Sequence, residues 1–124
     1  MPELNDTSKR RLATCHPDLQ LLVEAVAQDL PLLVVCGHRG KLAQDAAFAT
    51  KASKLQWPHS RHNTSPSEAV DLAPLPLKWQ DKKAFAALAK TVKAAALKLG
   101  LEIEWGGDWS WPDLGHYQLR KRKD

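Results

Sequence analysis

The chain has 124 residues, 18 basic against 14 acidic side chains, and a net charge of +4. That length supports one small domain with its own core, so neither a disulfide framework nor a structural metal is needed for folding. With 44% hydrophobic and 26% charged residues the composition is that of a globular protein, and the longest apolar run, Leu30 to Cys36, is too short to span a bilayer.

Met1 to Asp6 shows no basic start followed by an apolar stretch, so no signal peptide is recognisable and the expected compartment is the cytoplasm. Pro17 to Leu30 reads as a helix. Leu19, Leu22, Val23 and Val26 recur at helical spacing, and Pro17 suits the first turn. Leu32 to Cys36 is a short β-branched run ended by Gly37 and reads as a buried strand. Lys41 to Lys54 is Ala-rich and reads as a helix. Gln56 to Ser67 is rich in Pro and Ser and reads as loop.

Ala69 to Ala73 is a short strand stopped by Pro74. Asp81 can cap a helix that runs through Leu99 and ends at Gly100. Its stripe of Phe85, Leu88, Val92, Ala95 and Leu99 reads as core packing, and its lysines as a solvated face. Leu101 to Trp105 and His116 to Leu119 are further strands, with a turn at Gly106-Gly107. The order predicts an α+β domain with a small, mainly antiparallel sheet packed with helices, spanning residues 1–124 as one unit. The basic tail, residues 120–124, reads as a solvated terminus that could also attract an anionic polymer. Cys15 and Cys36 are expected to be two reduced structural thiols.

Ser60-Arg61-His62, Ala69-Val70-Asp71 and Asp113-Leu114-Gly115-His116 stand out together. Two imidazoles and a carboxylate make a three-ligand zinc site with a fourth position left for water. A carboxylate three residues before the last ligand, Asp113, is placed to take the water's proton and hand it to a leaving amine. Five histidines in so short a chain also allow chance pairings, so these residues alone leave a structural role open. His16 and His59 read as loop or surface residues and His38 as part of a turn.

Taken in order, these motifs resemble peptidase family M15, zinc peptidases that include D-Ala-D-Ala carboxypeptidases and dipeptidases and the phage L-alanyl-D-glutamate endolysins. The pattern Ser-x-His, Ala-x-Asp and acid-x-x-His-aromatic is present as Ser60 to His62, Ala69 to Asp71 and Asp113 to Tyr117. Arg11 to Leu19 is similar to the family's first helical segment. Val34 to Arg39, with Gln44 following, is similar to its strand-Gly-aromatic-Arg element. Trp105 to Trp109 resembles the Trp-Gly-Gly-Asp-Trp of the phage branch.

The resemblance implies a Hedgehog/DD-peptidase-like fold, with zinc on His62, Asp71 and His116. It also implies Asp113 as general base and Arg39 as the group that polarises the scissile carbonyl, a role suited to an always-charged guanidinium. Ser60, Trp109 and Asp108 are candidate substrate contacts. Asp108 can equally hold its turn, and Trp105, Trp109 and Trp111 can equally pack the domain edge. Three departures stand against the family pattern: a long, glycine-free spacer between His62 and Asp71, Gly115 in place of proline, and His38 in place of an aromatic.

The implied function is hydrolysis of the L-alanyl-D-glutamate bond in peptidoglycan stem peptides by a monomeric endolysin. Such an enzyme would accumulate in the host cytoplasm and reach the wall through a separate membrane-permeabilising protein. The alternatives are a D,D-carboxypeptidase or dipeptidase, and a non-catalytic zinc-binding module on the same fold. Nucleic acid is not an expected partner, because the lysines gather on one helix opposite its core. Stable membrane insertion is not expected either.

Overall fold

The computed structural model describes residues 3–120, so all of the basic tail except Arg120 lies outside the described residues. Chain order begins with α1 (Asp6–Leu12), where the Asn5 side chain accepts the Ser8 N–H at 2.7 Å. The sequence pattern gives no helix here. This one buries only Ser8 and Leu12, too few to form a stripe. α2 (Pro17–Asp29) follows as expected, with His16 Nδ1 capping the Asp18 N–H at 3.0 Å.

β1 is Leu32–Cys36 and α3 is Lys41–Ala49. α3 ends five residues short of its expected end at Lys54. Lys51 takes a left-handed conformation (φ 65°), and Gln44 Nε2 donates to Leu55 O at 2.6 Å, folding the chain back on the helix. β2 (Ala69–Pro74) runs one residue into its proline. α4 (Lys82–Leu99) is capped by Asp81 at the Ala84 N–H and ended by Gly100 at φ 72°, a region glycine enters without strain. Leu99 is exposed, and Ala96 takes its expected place in the buried stripe. β3 (Ile103–Trp105), a 3₁₀ turn over Gly106–Asp108 and β4 (His116–Leu119) complete the chain. Among the described residues no helix is long and apolar enough to cross a membrane.

The strands form one sheet in the order β1-β2-β4-β3, each neighbouring pair antiparallel. This is the α+β architecture with a small antiparallel sheet that the sequence predicts. One face, carrying Val34, Val70, Leu72 and Tyr117, packs with Leu19, Leu22 and Val23 of α2 and Leu88 and Val92 of α4. Each such side chain contributes roughly 1.5–3 kcal/mol through burial. Side chains alternate between faces along a strand, so Asp71 and His116, which pair in register, share the opposite face. α2 and α4 therefore hold the sheet rigid from one side and leave the other free for a site.

Candidate metal and catalytic site

Asp71 and His116 are set side by side by the β2–β4 register, and His116 Nδ1 lies 3.1 Å from Asp71 Oδ1. His62 arrives from outside the sheet, on a 3₁₀ turn over Arg61–Asn63. Ser60 caps that turn: its Oγ accepts the His62 N–H at 3.2 Å, while Asn63 Oδ1 accepts the Ser60 N–H at 3.0 Å. The turn is then locked to the segment after β1. The Arg39 N–H donates to His62 O at 2.8 Å, and Asn63 Nδ2 donates to Arg39 O at 3.0 Å. His62 Nε2 ends 3.2 Å from the same Asp71 oxygen.

The outer nitrogens of both rings are already committed. His62 Nδ1 meets the Gly37 carbonyl at 2.7 Å, which can only accept, so Nδ1 carries the proton. His116 Nε2 meets Gln118 Oε1 at 2.8 Å, and Gln118 turns its amide nitrogen toward Glu104 Oε2. In neutral rings the inner nitrogens are therefore lone pairs aimed at a carboxylate oxygen. A second proton on each ring or a bound cation would satisfy these contacts.

The titration behaviour describes His62 and Asp71 as a paired imidazolium and carboxylate. Burial alone would lower His62, yet its hydrogen bond to Asp71 pushes it up to about 10. Burial would likewise raise Asp71, but hydrogen bonds from His116 and His62 hold it well below the usual carboxylate range. The pocket calls for positive charge, and two imidazoles with one carboxylate are a donor set suited to a divalent ion.

Two further groups stand at this centre. Asp113, Asp71 and His116 place ligand atoms within 4.8 Å of one another, as do Cys36, His62 and Asp71. The Asp113 segment reaches the site by lying directly over Gly106, where any side chain would strike the Asp113 carbonyl, and its N–H donates to Gly106 O at 2.9 Å. Partial burial of the carboxyl, and then the charge of Asp71, raise the Asp113 pKa, which suits a group that must accept and release a proton.

Arg39 is aimed by Gln44, whose fully buried side chain accepts Arg39 NH1 at 2.9 Å. NH2 then stands 3.7 Å from Asp71 Oδ2. A cleft of about 620 Å³ opens over these groups, with an apolar wall that includes Trp79, Phe85 and Trp109.

Of the residues singled out from sequence, the structure brings Arg39, Ser60, His62, Asp71, Trp109, Asp113 and His116 to this one cleft. The Trp109 ring lies 5.1 Å from that of His116. Asp108 is not among the cleft's lining residues; it pairs at 2.7 Å with Lys93 on α4. Trp105 has a structural task, donating from Nε1 to Leu114 O at 2.9 Å and fixing the approach to His116. Trp111 is exposed beneath Lys54, at 3.6 Å.

Cys15 is a buried thiol, as expected, with its pKa pushed up to about 11 by that burial. Cys36 is likewise a free thiol, half-buried beside the site. Its sulfur donates to Gly37 O at 3.5 Å, and although burial would raise its pKa, the adjacent His62 brings it below the ordinary thiol value. Gln118 was missed. The signal available for it was its position two residues beyond His116, on the same strand face.

A family model described as phage L-alanyl-D-glutamate peptidase matches residues 2–123. The L-alanyl-D-glutamate peptidase of Escherichia phage T5 is 29% identical over 120 residues, covering 92% of this chain and 86% of that protein. Among solved structures, the L-Ala D-Glu endopeptidase ChiX of Serratia marcescens superposes with a TM-score of 0.82 at 28% identity, over 95% of this chain and 90% of that one.

Proposed function

The chain belongs to the phage L-alanyl-D-glutamate peptidase family, and from that premise we propose that it is a zinc-dependent peptidoglycan endopeptidase cutting the L-alanyl-D-glutamate bond of stem peptides. One observation carries the metal part of this reading: both histidines have their outer nitrogens occupied and their inner nitrogens turned on a single Asp71 oxygen. His62, Asp71 and His116 would hold the ion. When bound there, zinc supplies Lewis acidity, acidifying water toward neutral pH and polarising a carbonyl.

The remaining chemistry belongs to the side chains. Asp113 takes a proton from the attacking water and delivers it to the nitrogen of the leaving D-glutamate. Burial and the charge of Asp71 raise its pKa, the direction that helps a base hold the proton it takes. Arg39, held at a fixed angle by Gln44, places its charge where the carbonyl oxygen becomes negative. Trp109 gives the peptide an apolar wall beside His116, and buried Ser60 fixes the His62 turn.

The test is digestion of purified peptidoglycan with and without a chelator, the new termini being identified by mass spectrometry. The expected result is new D-glutamate amino termini that vanish with the chelator. Release of D-alanine alone would place the enzyme with the carboxypeptidases, and release insensitive to chelator would overturn the zinc mechanism. Asp113→Ala should lower turnover by about 10²- to 10⁴-fold while metal content is unchanged. Turnover within a few-fold of the parent would remove Asp113 as the base.

A further inference from the structure

One wall of the cleft is a short segment, Lys51 to Leu55, that follows α3. Its backbone is tied down. The buried Gln44 amide donates to Ser53 Oγ at 2.9 Å and to Leu55 O at 2.6 Å, and the Ser53 N–H donates to Ala47 O at 3.0 Å. Gln44 also accepts Arg39 NH1, so one side chain sets this wall and the guanidinium together. Lys51 takes a left-handed backbone (φ 65°) that glycine would hold without strain, yet the position carries a lysine that lines the cleft.

Lys51 and Lys54 share this wall. The arginines of the lining already face carboxylates: Arg39 stands 3.7 Å from Asp71, and Arg61 pairs with Glu68 at 2.6 Å. Among the described residues neither lysine pairs with a carboxylate. Lys54 instead rests its ammonium 3.6 Å over the exposed ring of Trp111, a weak contact at a solvent-facing site. Trp111 stands two residues before Asp113, so this contact joins the lysine wall to the segment that carries the proposed base.

The proposed substrate brings the matching charge. Glutamate has two carboxyl groups, and only one continues the stem peptide. The other stays free on the same residue that carries the leaving nitrogen, so a carboxylate enters the cleft close to the scissile bond. We propose that Lys51 and Lys54 bind this free carboxylate, Lys54 leaving Trp111 to do so, and that they make the enzyme selective for D-glutamate over its uncharged amide. The inference rests on the function proposed above. The flexible lysine stems allow the swing, and a charge-assisted contact with a carboxylate outweighs an exposed cation–π contact.

Two synthetic stem peptides of one sequence test this, the first with the D-glutamate carboxylate free and the second with it converted to a carboxamide. Cleavage of the L-alanyl-D-glutamate bond by the full chain is followed by mass spectrometry. The parent should cleave the carboxylate form with a kcat/KM about tenfold or more higher, the difference lying mainly in KM. In the double variant Lys51→Met/Lys54→Met that ratio should fall close to one, and each single variant should lose part of it. Lys82→Met/Lys98→Met removes the same charge from the exposed face of α4 and should keep the ratio. Equal cleavage of both peptides by the parent would overturn the role of the lysines. So would a ratio that survives in the Lys51/Lys54 variants, or one that falls as far in the α4 variant. Cleavage of neither peptide by the parent would instead overturn the proposed function itself.

Discussion

One step along β2 separates two kinds of chemistry. Val70 and Leu72 are fully buried in the layer of α2 and α4, while Asp71 between them faces two imidazoles and a guanidinium. The helix side is apolar and held by packing. The other side gathers charge that no apolar neighbour could compensate. The strand's period of two keeps them apart, and a slip of one residue in the β2–β4 register would exchange them. Asp71 and His116 are therefore held rigidly, because their backbone is also the backbone of the core, which is how donor groups are held within a fraction of an ångström of a working geometry. If the faces are separate in function, changes on one should cost chemistry and changes on the other should cost folding.

The largest expected effect is on the site face. Asp71→Asn keeps the shape but removes the charge that both histidines address, so bound metal should be lost. Turnover should fall on the order of a thousandfold or more, since a metal supplies several kcal/mol of transition-state stabilisation. Elemental analysis and stem-peptide release measure the two consequences, and retention of both would end the division between faces. On the helix side, Leu22→Ala should cost about 2–5 kcal/mol in urea unfolding while the folded, metal-loaded fraction turns over within a few-fold of the parent. A collapse of turnover with stability intact would show that the core side reaches into the chemistry.

The same division explains what could be read from sequence. His62, Asp71, His116 and Asp113 were legible because their side chains are chemically distinctive and recur in a recognisable order. The helices α2 and α4 were legible through their apolar spacing and their Pro17, Asp81 and Gly100 signals. Cys36 was not, because its place depends on a bulge that moves it from one register partner to another, and a run of apolar β residues carries no mark of that. The early end of α3 was hidden for a similar reason. It follows from the long-range hold of Gln44 on Leu55, whereas local Ala-rich composition favours continuing the helix. α1 escaped because a seven-residue helix with two buried positions has no periodicity to detect.

The smaller predictions sharpen where the site face ends. Gln118→Leu leaves the volume but removes the acceptor that keeps the proton of His116 on Nε2. Metal affinity should weaken by about 10- to 100-fold in a competition titration, with unfolding free energy little changed. Unchanged affinity would mean that the Asp71 contact alone orients the ring.

Asp108→Asn should do least. The carboxylate is more than half exposed and paired with an almost equally exposed Lys93, so its loss should change stability by less than about 1 kcal/mol. Turnover should stay within a few-fold, because Asp108 faces α4 and is absent from the cleft lining that holds Asp113. A hundredfold loss of turnover with unaltered metal content would reverse that placement. It would mean that Asp108 leaves Lys93 when substrate binds, and that the site extends around the 3₁₀ turn to the far side of Trp109.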